Sequence, residues 1–155
     1  MKISPRQTDG FIDNPGKTIH AILVYGPNQG LVTERVKKLI ENTVESLDDP
    51  FLVTVLSGSD YGKIWHNLSD EFASLSFTPS RRVLLLKNIN EQLVKNVEWI
   101  LDSQSSDVLV IFEAGDLRPK SSLRRAFESA NRAAALPCYS DGPEELNSLV
   151  RERFK

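Results

Sequence analysis

Two spacings of apolar residues alternate along the chain. Ala21–Tyr25 is apolar throughout, the pattern of a strand covered on both faces in a parallel sheet. From Leu31 onward Val32, Val36, Leu39, Ile40, Val44 and Leu47 recur at helical spacing. Asp48-Asp49-Pro50 predicts the end of that helix, because the residue before a proline avoids the α region. Phe51–Leu56 predicts the next strand, closed by Ser57-Gly58-Ser59-Asp60, and Ile64, Trp65, Leu68, Phe72 and Leu75 then line one side of a helix. A break at Ser76-Phe77-Thr78-Pro79-Ser80 precedes Arg81-Arg82 and the strand Val83–Leu86. Asn88 and Glu91 have the spacing of a capping box for a helix faced by Leu93, Val97, Ile100 and Leu101. Val108–Phe112 is the clearest buried strand, ending at Glu113, and Arg118-Pro119-Lys120-Ser121 leads into a helix carrying Leu123, Ala126, Phe127 and Ala130. Ala133–Cys138 is a weaker strand signal, since alanine favours helices. Asp141-Gly142-Pro143-Glu144-Glu145 opens a helix with Leu146, Leu149 and Val150 on its face. Ahead of the first strand, Ser4-Pro5 predicts an N-cap and first helical residue, and Asn14-Pro15-Gly16 a stop.

Strands alternating with helices over short loops imply an α/β fold, with a mostly parallel sheet of about five strands and helices on both faces. In such sheets ligands bind beyond the carboxyl ends of the strands. That rim holds Gly26–Gly30, Ser57–Asp60 and Glu113–Pro119.

Length and charge narrow the function. A chain of 155 residues with 40% apolar and 26% charged residues fits one soluble domain. Its net charge of −2 gives no global basis for nucleic-acid or membrane binding, so such contact would need a local patch. A single cysteine, Cys138, excludes an intrachain disulfide and a multi-cysteine metal site, and suits a reducing cytoplasm. No signal-peptide core and no apolar run of spanning length is present. The chain stops inside an apparent helix, which suggests a fragment of something longer.

Candidate chemistry centres on the turn Gly26-Pro27-Asn28-Gln29-Gly30. A buried strand, a tight glycine turn and a helix is the phosphate-cradle plan of nucleotide-binding α/β folds. A P-loop, however, follows its second glycine with a lysine for the phosphates and a Ser or Thr for magnesium. Here Leu31 and Val32 stand there, the loop is one residue shorter, and only Glu113, followed by Ala114, remains of an acidic pair after the central strand. A structural turn and a non-hydrolytic nucleotide sensor both stay open. Phe77 is either a core residue under a loop or an exposed apolar anchor for a partner's pocket. Arg118, Lys120, Arg124 and Arg125 form a basic cluster that is a solvated face or a contact for a partner's acids or DNA phosphates. His20, His66 and Cys138 have no companions at metal or nucleophile spacing and read as structural.

Four segments, in this order, resemble the delta subunit of bacterial DNA polymerase III, a clamp-loader family. They are Ala21–Arg35, Leu75–Leu86, Val108–Leu117 and Ala135–Tyr139. The resemblance covers the whole chain but only the N-terminal part of the family's length. It implies a RecA-like AAA+ domain with a degenerate nucleotide site over residues 1–140. Residues 141–155 would begin a lid domain, and a C-terminal collar would be absent. It further implies a subunit of the DNA polymerase III holoenzyme with no catalytic site and no cofactor of its own, which binds the ring-shaped beta sliding clamp and helps to open it. The family's clamp contact is a pair of apolar residues, usually Leu-Phe, in the segment matching Ser76–Arg81. The pair falls on Phe77 and Thr78, with Leu75 as a neighbouring anchor. Contacts to the gamma/tau and delta-prime subunits would run mainly through the missing collar. A non-hydrolytic nucleotide-sensing domain is the alternative implied by the turn, and an interaction scaffold outside this family is a third.

Overall fold

The computed structural model describes residues 1–4, 6–16, 18–44, 53–57, 82–102 and 108–139. Five parallel strands make one sheet in the order β2-β3-β4-β1-β5. They are β1 (Ala21–Tyr25), β2 (Val53–Leu56), β3 (Arg82–Ile89), β4 (Val108–Ala114) and β5 (Ala133–Pro137). The described helices are α1 (Thr8–Asp13), α2 (Gln29–Thr43), α3 (Val94–Asp102), preceded by a 3-10 turn over Glu91–Leu93, and α4 (Ser122–Ser129).

Alternation along β1 divides the core. Ala21, Leu23 and Tyr25 point to a cluster with Val97 and Ile100 of α3 and Leu123 and Phe127 of α4. Ile22 and Val24 point the other way, to Ile12 of α1 and Val32, Val36, Leu39 and Ile40 of α2. The result is the expected three-layer α/β sandwich. All five residues of β1 are buried because it lies between β4 and β5 with a helix layer on each side. Phe112 and Phe127 meet edge to face, with centroids 5.1 Å apart, where β4 and α4 pack. Beyond β5, Lys2 bridges to Ala135, so residues 1–3 lie along the outer side of the last strand.

Several boundaries depart from the sequence reading. α1 starts at Thr8 rather than at Ser4-Pro5, because the Ser4 carbonyl accepts from Gln7 N–H at 3.0 Å and forms a separate turn ahead of the helix. α2 ends at Thr43, since Val44 is already extended, and its side chain is nevertheless buried. The apolar period therefore outlasts the helix. Residues 45–50, with the expected Asp48-Asp49-Pro50 stop, lie outside the described residues. β3 runs on through an irregularity between Leu86 and Ile89, where Asn88 has φ 59°, a conformation asparagine tolerates. The expected Asn88–Glu91 capping box therefore does not form. Asn90 caps the 3-10 turn through Gln92 N–H at 3.0 Å instead. Glu91 crosses to α4, where it accepts from Ser121 Oγ and from Leu123 N–H. The helix expected around Ile64–Leu75, the break at 76–80 and the helix after Asp141 all fall outside the described residues.

Candidate functional site

β1 delivers Tyr25 to the carboxyl rim of the sheet, and the chain turns at once. Gly26 has φ 152°, and an added Cβ would lie 2.7 Å from the carbonyl carbon of Cys138 and 3.1 Å from its Cα, nearer still to its oxygen. The Gly26 N–H donates to the Gly115 carbonyl beyond β4 at 3.1 Å. Beside it, Cys138 N–H donates to the Tyr25 carbonyl at 2.7 Å. Gln29 folds its amide back onto the Gly26 carbonyl at 3.2 Å. Asn28 is the N-cap of α2, and its Oδ1 accepts Leu31 N–H at 3.1 Å.

A phosphate cradle works by leaving turn and helix amides free for ligand oxygens. Here Gly26 N–H is bonded to Gly115 beyond β4 and Leu31 N–H to Asn28 Oδ1, so these two amides are already taken. Leu31 packs against the core and Val32 is fully buried within it, so the positions after the second glycine are packing positions. On β4, Glu113 is half-buried and Ala114 is buried. Among the described residues, no three His, Cys, Asp or Glu side chains come together to hold a metal.

The basic cluster separates. Arg118, Lys120 and Arg125 are exposed, but Arg124 is 8% exposed and committed to the interior. Its Nε donates to Glu128 at 2.6 Å, one turn further along α4, and its Nη1 donates to the Leu117 carbonyl at 3.3 Å. Its guanidinium lies 5.3 Å from the centroid of the Tyr25 ring, in cation–π range. Burial works against the Arg124 charge, but the Glu128 hydrogen bond and the two tyrosines outweigh it and hold its pKa above the ordinary value. For Tyr25, burial pushes the phenol pKa up, and the Arg124 charge opposes that shift only in part. Among the described residues, the Tyr25 hydroxyl makes no hydrogen bond of ordinary geometry.

His20 and Cys138 are buried, and His66 lies outside the described residues. At the opposite rim, a polar cleft of about 590 Å³ is lined by His20, Glu98, Asp102, Ser129 and Arg132, away from the glycine turn. Two side chains that shape the turn's surroundings had no clear sequence signal. Arg35 reaches from α2 to the Pro137 carbonyl at 2.6 Å, and Tyr139 stacks edge-on against Tyr25.

Residues 22–138 match the family described as DNA polymerase III, delta subunit. The chain belongs to this family. A probable DNA polymerase III subunit delta from Rickettsia prowazekii (strain Madrid E) is 24% identical over 132 residues, which is 85% of this chain and 38% of that protein. The structure of the Bacillus subtilis DNA clamp loader delta protein (YqeN) shares the fold with a TM-score of 0.63 at 14% identity, over 93% of this chain and 45% of the other. The chain thus spans less than half the length of either relative. The delta-family match encloses the glycine turn and the Arg124 cluster. It also encloses Leu75, Phe77 and Thr78, which lie outside the described residues.

Proposed function

We propose that this chain is the clamp-binding part of a clamp-loader delta subunit, acting on a beta sliding clamp without hydrolysing ATP. The observation that carries the non-hydrolytic half is the turn itself. Gly26 N–H is bonded to Gly115, the Asn28 carboxamide caps α2, and Leu31 and Val32 are packed at the places where a P-loop holds its lysine and hydroxyl. Membership of the delta family supports the clamp-loader half.

In this reading Phe77 enters an apolar pocket on the clamp, with Leu75 and Thr78 beside it. Tighter binding to the open ring than to the closed one then shifts the population towards opening. Arg118, Lys120 and Arg125 remain available for an acidic partner or for DNA, whereas Arg124 is spent on Tyr25 and Glu128. Assembly with the gamma/tau and delta-prime subunits would use parts of the family's length beyond this chain.

Titration of the chain against the sliding clamp of the same organism tests the reading. Phe77→Ala should weaken binding by about 1–3 kcal/mol while the circular-dichroism spectrum is unchanged. Equal affinity of the two proteins would remove Phe77 from the interface. Magnesium-ATP should leave the melting temperature of the wild type where it is, because only a ligand bound by the folded state raises it. A saturable rise would favour the nucleotide-sensing alternative.

A further inference from the structure

The exit of β5 is held from both faces of the sheet. From the α2 side, Arg35 Nη1 donates to the Pro137 carbonyl at 2.6 Å. In the plane of the sheet, Cys138 N–H donates to the Tyr25 carbonyl at 2.7 Å, and the Cys138 backbone closes against Gly26, where only a glycine leaves room. From the α4 side, Arg124 lies over the Tyr25 ring and places Nη1 3.5 Å from the Tyr139 hydroxyl. The Tyr139 ring meets Tyr25 edge-on at 6.3 Å and 86°. Arg124 is fixed in turn by Glu128 and the Leu117 carbonyl. Pro137 contributes a fixed φ of its own. Three consecutive residues are thus fastened by two arginines from opposite helix layers and by a backbone contact with the glycine turn.

We propose that Pro137–Tyr139 is a rigid joint, held in place by the sheet and the two arginines whatever the occupancy of the glycine turn. The turn after β1 and the exit of β5 are neighbours, because the two strands pair up to Tyr25 and Pro137. Here they share a main-chain hydrogen bond and a contact too close for a methyl group. The joint does not depend on the clamp reading, since none of its residues belongs to the Leu75–Thr78 segment.

The test uses the whole 155-residue chain, 15N-labelled. Backbone order parameters at Cys138 and Tyr139 should match those of β1, at about 0.85, and Cys138 N–H should exchange with solvent as slowly as Leu23 N–H. Arg35→Met should speed Cys138 exchange by about tenfold or more while Leu23 keeps its wild-type rate. Adding magnesium-ATP to the wild type should change neither. Order parameters below about 0.6 at Cys138 in the wild type would overturn the proposal, and this measurement needs no variant to fold. Equal acceleration of Cys138 and Leu23 in Arg35→Met would also overturn it, because the arginine would then be a general stabiliser. So would loosening of Cys138 by magnesium-ATP.

Discussion

Replacing Gly26 by alanine separates a structural turn from a ligand cradle. The new methyl group would meet the Cys138 backbone, 2.7 Å from its carbonyl carbon, and a φ of 152° is strained for any L side chain. Backbone strain of this kind costs about 1–3 kcal/mol. Moving β5's exit aside to make room breaks the Cys138–Tyr25 hydrogen bond, a further loss of roughly 0.5–1.5 kcal/mol. Stiffening of the unfolded chain returns only about 0.4–1 kcal/mol. The net destabilisation should be about 2–3 kcal/mol, seen as a lower urea midpoint at unchanged slope. Gly30→Ala is the internal control. Gly30 lies in the first turn of α2, where the nearest atom to an added Cβ is Asn28 Oδ1 at 3.4 Å. That change should be neutral or stabilise the fold by up to about 1 kcal/mol, because alanine is the better helix former. A Gly26→Ala unfolding free energy within about 0.5 kcal/mol of wild type would refute the argument. It would mean that β5's exit yields freely and that the close approach holds nothing.

Tyr25→Phe addresses the buried phenol. With its folded pKa raised above the unfolded value of about 10, wild-type stability is intact below that pH and falls as pH climbs past it, by about 1.4 kcal/mol per unit more than in the variant. Urea titrations at a series of alkaline pH values should show the two curves parting only there, and parallel curves would contradict it. At neutral pH the variant should be no less stable, since the hydroxyl it loses makes no hydrogen bond of ordinary geometry among the described residues. Asn28→Ala removes the α2 N-cap and should cost about 0.5–2 kcal/mol by the same denaturation assay, whereas Asn28→Asp should keep the cap.

Where burial follows simple periodicity, the sequence was readable. β1 ends where its apolar run ends, and Val32, Val36, Leu39 and Ile40 bury the face that their spacing announces. The parallel sheet with helices on both faces followed from the alternation of elements and is what the strands form. Interactions between distant segments were not readable. Glu91 sits three residues after Asn88, yet its carboxylate serves a helix that begins at Ser122. Arg124, read as one of four surface cations, shares α4 with the buried Leu123 and Phe127 and turns inward to Tyr25. Only the fold supplies the aromatic ring that makes its burial tolerable. Val44 stays buried after α2 has ended, so a hydrophobic period overestimated the helix. The missing lysine and hydroxyl after Gly30 were plain in the sequence, while the bonds that Gly26, Asn28 and Gln29 make around the turn were not.

The strand order has a consequence for synthesis. β1 precedes the other described strands in the chain, and it pairs with the two that come latest among them, Ala21 lying opposite Val110 on one side and Ala133 on the other. At roughly 5–20 residues per second, its wholly apolar stretch waits about 5–20 s before its second neighbour exists. Such non-local pairing is slow to form, and an unpaired hydrophobic strand invites association with other chains. α2, made directly after β1 and carrying Val32 and Val36 against the same side of the sheet as Ile22 and Val24, is the earliest cover available to it. The helix that follows the glycine turn would thus shield a nascent strand long before the sheet is complete.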